Sequence, residues 1–172
     1  SLIDRLNIPL VTTWGAAFGS AEMHSHWRGR IGVSGMRGAN KLIMRSDLIL
    51  SIGARWGQST VGTDLSQFAP QAKIYAVDVD REEINLLKSR RDLRAVVASS
   101  SSFVETLLGS KANFSANSDW VTSTLVYSPY VSTEYSSNIK HSSEFMDTYS
   151  ALSLIQDQIN LNWPPGTNYV ID

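Results

Sequence analysis

Cysteine is absent from the 172 residues, which excludes disulfides, thiolate metal sites and a cysteine nucleophile and makes the cytoplasm the expected location. Charge of one sign is missing as well. Lys and Arg total 15 against 16 Asp and Glu, a formal net charge of −1, so no global field draws the chain to nucleic acid or an anionic membrane, and any anion-binding patch is local. No apolar run is long enough to span a bilayer, and the opening residues 1–10 carry no basic segment ahead of an apolar signal core. Paired-carboxylate, Ser/His/Asp and P-loop patterns are also lacking. His24 and His26 form an H-x-H pair with no third ligand nearby, so they read as loop residues and no metal site is expected. What is there is ordinary globular material, 42% hydrophobic and 18% charged, long enough for one domain with a core.

Residues 1–7 read as the tail of a helix. From Ile8 to Gly109, short β-rich runs then alternate with helical patterns, the signature of a parallel α/β sheet. Four strands are predicted. Ile8-Pro-Leu-Val-Thr-Thr13 is the first; Asp47-Leu-Ile-Leu-Ser-Ile-Gly53 is the second, its near-continuous apolar run suiting a strand buried on both faces. Lys73-Ile-Tyr-Ala-Val-Asp-Val79 and Leu93-Arg-Ala-Val-Val-Ala98 follow. Helices are predicted over 38–46, 81–89 and 101–108 from apolar residues three and four apart, with Asp80 and Glu83 forming a capping box for the second. After Gly109 the texture changes: residues 111–150 hold 14 Ser or Thr among 40 residues, interleaved with aromatics such as Trp120 and Tyr127. This reads as an ordered interdomain segment rather than a flexible tether. A helical pattern returns at 148–159, and residues 169–172 read as a strand.

Three constellations sit where ligands bind in such sheets. The stretch from Trp27 to Asn40 carries glycines at 29, 32, 35 and 38 and arginines at 28, 30 and 37. A glycine-rich loop feeding a helix offers free N–H donors to a phosphate; the alternative is a long turn with solvated arginines. Gly53, Ala54 and Arg55 follow the most apolar strand, at the end where open α/β sheets take ligands, with a strand-ending glycine and a surface arginine as the plain alternative. Asp78, at the end of the next strand, stands where a carboxylate commonly receives a ribose hydroxyl, while Asp80 is explained as an N-cap.

These blocks, with Phe68-Ala-Pro-Gln-Ala-Lys-Ile-Tyr-Ala-Val-Asp-Val-Asp80 and Glu83-Ile, resemble the central domain of thiamine-diphosphate-dependent enzymes, in the acetolactate-synthase-like branch, over about residues 1 to 109. The resemblance implies a Rossmann-like parallel sheet with flanking helices whose first strand, opening the domain in the family, is missing here. It divides the chain into an incomplete central domain (1–110), a linker (111–147) and the start of a C-terminal diphosphate-binding domain (148–172). It implies a segment of a 2-oxo-acid carboligase or decarboxylase, a transferase or lyase, not catalytic alone. Thiamine diphosphate and Mg2+ would be held by the other domains, which are the implied partners along with further copies in a dimer or tetramer. The matched nucleotide positions are Gly35, Met36, Gly53, Ala54, Arg55, Asp78 and Glu83, which would take FAD or ADP. Ala98 and Ser99 stand where flavin-binding members usually carry Gly-Asp, removing an acidic contact. The alternatives are a non-flavin decarboxylase with a purely structural central domain, and a free-standing nucleotide-binding module.

Overall fold

The computed structural model describes residues 1–16, 20–90, 92–111 and 115–127, together with residues 158 and 162. The chain divides into two compact units, Ser1–Val131 and Ser132–Asp172. In the second, the described detail is an amide hydrogen bond from Asn162 to the Gln158 carbonyl, 2.7 Å. The expected helix at 148–159 and strand at 169–172 otherwise lie outside the described residues.

The first unit is an α/β structure built on parallel strands flanked by helices, the Rossmann-like arrangement the alternating pattern predicts. Helix α1 (Leu2–Leu6) is closed at its start by a capping box between Ser1 and Asp4, and it ends at Asn7 in the left-handed conformation. Strand β1 (Leu10–Thr12) pairs in parallel with β2 (Trp27–Arg30). Helix α2 (Arg37–Met44) crosses to β3 (Leu48–Ile52), which pairs in parallel with β4 (Lys73–Asp78), itself parallel to β5 (Leu93–Val97). Between β3 and β4 lies the short α3 (Gln58–Val61); after β4 comes α4 (Arg81–Leu86), continued by a tight turn over Leu87–Ser89. Helix α5 (Ser100–Gly109) follows β5, and α6 (Ser118–Ser123) is continued by a tight turn over Thr124–Tyr127.

Two expectations are corrected. Trp27–Arg30, inside the stretch read as a glycine-rich loop, is a strand. Its buried Trp27 and Arg28 do not form an apolar run, because one of the inward side chains is a guanidinium. The capping box at α4 is half made: the Asp80 side chain accepts from Glu82 N at 2.9 Å, but Glu83 turns toward the loop after β3, accepting from Trp56 N at 3.4 Å.

The core lies between α2, α4 and one face of the β3–β4–β5 sheet. Ala39, Ile43, Ile49, Ile74, Ala76, Ile84 and Leu87 form one buried cluster, extended by Ile31 and Phe68 and flanked by Val11. Ile31 follows β2 and Val11 lies in β1, so the two-stranded and three-stranded sheets share this core through α2. Arginines tie the periphery. Arg90 donates to the carbonyls of Leu65, Phe68, Ala69 and Ala72, at 3.2, 2.5, 3.1 and 3.2 Å, fixing the segment that leads into β4. Arg5 donates to Leu107 and Ser110 carbonyls at the end of α5, at 3.0 and 2.7 Å, satisfying acceptors a helix C-terminus leaves open.

Residues 115–127 pack within the first unit. Ala116 N donates to Leu6 O at 3.1 Å, the Arg45 guanidinium to Tyr127 Oη at 2.9 Å, and Arg28 Nε to Thr124 Oγ1 at 3.2 Å. Arg28 is 1% exposed and also donates to the Ser25 and Trp27 carbonyls at 2.8 and 3.0 Å. Burial pushes its pKa down from the usual guanidinium value.

Candidate nucleotide site at the strand ends

In parallel sheets the loops after the strands gather at one edge, and ligands bind there. Strand β3 ends at Ile52, and Gly53 turns the chain with φ of 62°, a left-handed conformation that glycine adopts without the Cβ penalty. Gly53 N donates to Val77 O at 2.8 Å, so this turn is held against the end of β4. A Cβ at Gly53 would lie 3.0 Å from Ser100 Oγ at the start of α5. The ends of β3 and β4 and the start of α5 therefore converge.

Arg55 projects from this turn with its side chain 84% exposed, its Nε 3.9 Å from Glu83 Oε1. Glu83 is mostly buried, at 15% side-chain exposure, and its other oxygen takes the Trp56 N–H. The first turn of α4 thus braces the loop that carries Ala54 and Arg55, leaving the guanidinium available to solvent anions. The Asp78 side chain accepts from Asp80 N at 2.8 Å. That bond shapes the entry to α4 and leaves its second oxygen as an acceptor. Gly53, Ala54, Arg55, Asp78 and Glu83 form one group.

Gly35 and Met36 stand at a separate place, between β2 and α2. Gly35 N donates to Gly32 O at 2.9 Å and Met36 N to Arg30 O at 2.8 Å; Asn40 Nδ2 and Oδ1 bind both Gly32 backbone groups at 2.8 and 2.9 Å. A Cβ on Gly35 would fall 2.6 Å from Ile31 C and 2.7 Å from Arg30 O, so glycine is required there by the loop's own backbone. The loop is linked toward the other group by Val33 N donating to Ser59 O at 2.8 Å. Met36 is the N-cap of α2 and makes no side-chain capping bond.

Two features escaped the sequence reading. Trp14, just beyond β1, is 52% exposed and has the Arg30 guanidinium 5.1 Å from its ring centroid, a cation–π distance. Arg30 is held by Glu22 through two bonds of 2.8 and 3.1 Å, and these hydrogen bonds hold the Glu22 carboxyl below its usual range. The signal was an isolated tryptophan directly after a strand. The second is the serine run at the start of α5, where Ser99 Oγ accepts from Ser102 N at 3.2 Å and Ser100 faces Gly53; the run is visible in the sequence, its neighbour is not. His24 Nε2 sits 3.2 Å from Asp4 Oδ1 and 3.3 Å from Ser1 Oγ. Both partners share one ring nitrogen, which is not the relay geometry of a nucleophilic triad. Among the described residues no group of three His, Cys, Asp or Glu is placed to hold a metal ion, and no helix is long and apolar enough to cross a membrane.

Comparison with known proteins converges on one family. Residues 1–107 match the family model described as thiamine pyrophosphate enzyme, central domain. The acetolactate synthase large subunit of Corynebacterium glutamicum is 37% identical over 123 residues, covering 69% of this chain and 19% of that protein. Acetolactate synthase isozyme 1 large subunit of Escherichia coli is 32% identical over 87 residues, 51% of this chain and 15% of the relative. A sulfoacetaldehyde acetyltransferase of Alcaligenes xylosoxydans is 28% identical over 128 residues, 70% of this chain and 21% of that protein. The matched region spans 15 to 21% of these relatives' length. With the family model covering more than half of the chain and a parallel α/β unit beneath it, the chain belongs to the thiamine pyrophosphate enzymes, as their central domain.

Proposed function

We propose that this chain is the central scaffold of a 2-oxo-acid carboligase of the acetolactate-synthase kind, and that Gly53, Ala54, Arg55, Asp78 and Glu83 hold the phosphate and ribose of an adenine nucleotide, FAD or ADP. The observation that carries the reading is the convergence of these residues at the ends of two adjacent parallel strands, with an exposed guanidinium braced by Glu83. The group fits such a ligand: Gly53 lets a phosphate approach the backbone, Arg55 neutralises it, and the free oxygen of Asp78 can accept a ribose hydroxyl. Gly35 and Met36 enter as the wall of a longer dinucleotide, reached through the Val33–Ser59 link.

The remaining divisions follow the same reading. Residues 1–110 serve as the central domain, 111–147 as a connection, and 148–172 as the opening of a diphosphate-binding domain. Thiamine diphosphate, with Mg2+, supplies the carbanion chemistry when bound, and its site lies on other domains of a cytoplasmic homo-oligomer. This chain's own residues orient those domains and take no catalytic part. Asp78, already bonded to Asp80 N, favours a second reading in which the strand-end loops are purely structural.

The deciding experiment is to purify the intact polypeptide containing this chain without added cofactor, denature it, and identify the released molecules by absorbance and mass. Thiamine diphosphate with FAD or ADP is expected. Thiamine diphosphate alone returns the strand-end loops to structure, and its absence overturns the carboligase reading.

A further inference from the structure

Arg28 is a buried cation whose acceptors come from two distant parts of the chain. Its Nη1 donates to the carbonyls of Ser25 and Trp27 at 2.8 and 3.0 Å, and its Nε to Thr124 Oγ1 at 3.2 Å, across 96 residues of sequence. Among the described residues no carboxylate pairs with it. A guanidinium taken out of water costs free energy unless hydrogen bonds replace its hydration, and for Nε that replacement is the Thr124 hydroxyl.

Thr124 is itself fully buried. Its hydroxyl donates to Val121 O at 2.7 Å, which leaves its oxygen lone pairs to Arg28. The turn over Thr124–Tyr127 packs on β2 and α2. A Cβ at Gly38, in the first turn of α2, would lie 3.0 Å from Tyr127 O and 3.2 Å from Tyr127 Cα, while Arg45, which follows α2, donates to Tyr127 Oη. At its other end the segment is tied to the end of α1 through Ala116 N and Leu6 O. It runs toward the division between the two units at Val131.

We propose that residues 115–127 form a strap latched by Arg28 and Thr124, which fixes where the chain leaves the first unit and opens without unfolding the three-stranded sheet. Each partner depends on the other. Without the Thr124 hydroxyl the docked strap covers an incompletely bonded cation, and undocking returns that cation to water; with apolar side chains at both positions the docked state carries no such penalty. Arg28 is thus a positioning residue, and the latch stands whether or not the strand ends hold a nucleotide.

The test is amide hydrogen exchange of the intact polypeptide containing this chain, read over residues 118–127 and over β3 and β4. Thr124→Val is expected to speed exchange at 118–127 at least about tenfold while β3 and β4 keep their rates. Adding Arg28→Met to Thr124→Val is expected to slow exchange at 118–127 again, and Thr124→Ser, which keeps the hydroxyl, to exchange more slowly there than Thr124→Val. Exchange at 118–127 unmoved by Thr124→Val, or raised equally in β3 and β4, overturns the proposal. So does a double variant or a Thr124→Ser variant that exchanges as fast as Thr124→Val, because the two side chains then act independently or the hydroxyl has no part.

Discussion

Gly35 separates a ligand requirement from a packing requirement at the scale of one residue. A methyl group there meets backbone atoms of Ile31, Arg30 and Gly32 at 2.6 to 2.7 Å, atoms that move only with the loop. Gly35→Ala is therefore expected to destabilise by about 2 kcal/mol or more whatever ligand is present, measured by denaturant midpoint with and without ADP. Arg90 makes a similar argument for a charged side chain. Its four carbonyl acceptors lie in partly buried positions, and Arg90→Ala removes a charged donor from each of them, at a cost of about 2 to 3 kcal/mol by thermal unfolding. The sequence places Gly35 in a plausible role but cannot supply its neighbours. It reads as part of a phosphate cradle until the backbone it touches is known.

Elements were legible in proportion to how well their burial matches their composition. Strands β3 and β4 and helices α2, α4 and α5 follow from apolar runs or three-and-four apolar spacing, with ends shifted by one to three residues. Strand β2 was hidden because the buried residue beside Trp27 is Arg28, whose hydrogen bonds to Thr124, Ser25 and Trp27 oxygens come from places the local pattern does not contain. The contact of Arg30 with Glu22 and Trp14 was hidden for the same reason. That contact has a pH signature. Glu22 has its pKa lowered in the folded chain by the Arg30 hydrogen bonds, and Asp64 by those from Ser66. Each contributes stability that is present above the unfolded carboxylate range and is lost as pH falls through the lowered folded value. Unfolding free energy should thus decline from about pH 5 downward, and Glu22→Gln should flatten part of that acid limb. An unchanged limb in the variant would show that the Arg30 bonds do not favour the ionised form.

At the largest scale described, the first unit holds two separate parallel sheets. Among the described strands β1 pairs with β2, and β3 pairs with β4, leaving one edge of β1 and one edge of β3 without a strand partner. Strand β3 has the composition of a strand flanked on both sides, Leu48-Ile-Leu-Ser-Ile52, yet it borders its sheet. Open apolar edges cost stability and invite association, so the 172-residue chain is expected to unfold at low denaturant with a broad transition. A sharp, high-temperature cooperative transition would contradict this. Family membership was legible because five blocks occur in order along about a hundred residues. The ligand was not, because pockets at strand ends are assembled from loops far apart in sequence. The most direct test of the nucleotide site is amide hydrogen exchange of the purified protein with and without ADP or FAD. Protection concentrated at residues 53–56 and 78–83 is predicted, with Arg55→Ala removing it. Exchange unchanged at those residues, with nucleotide present well above micromolar concentration, would contradict the assignment of these strand ends to a nucleotide.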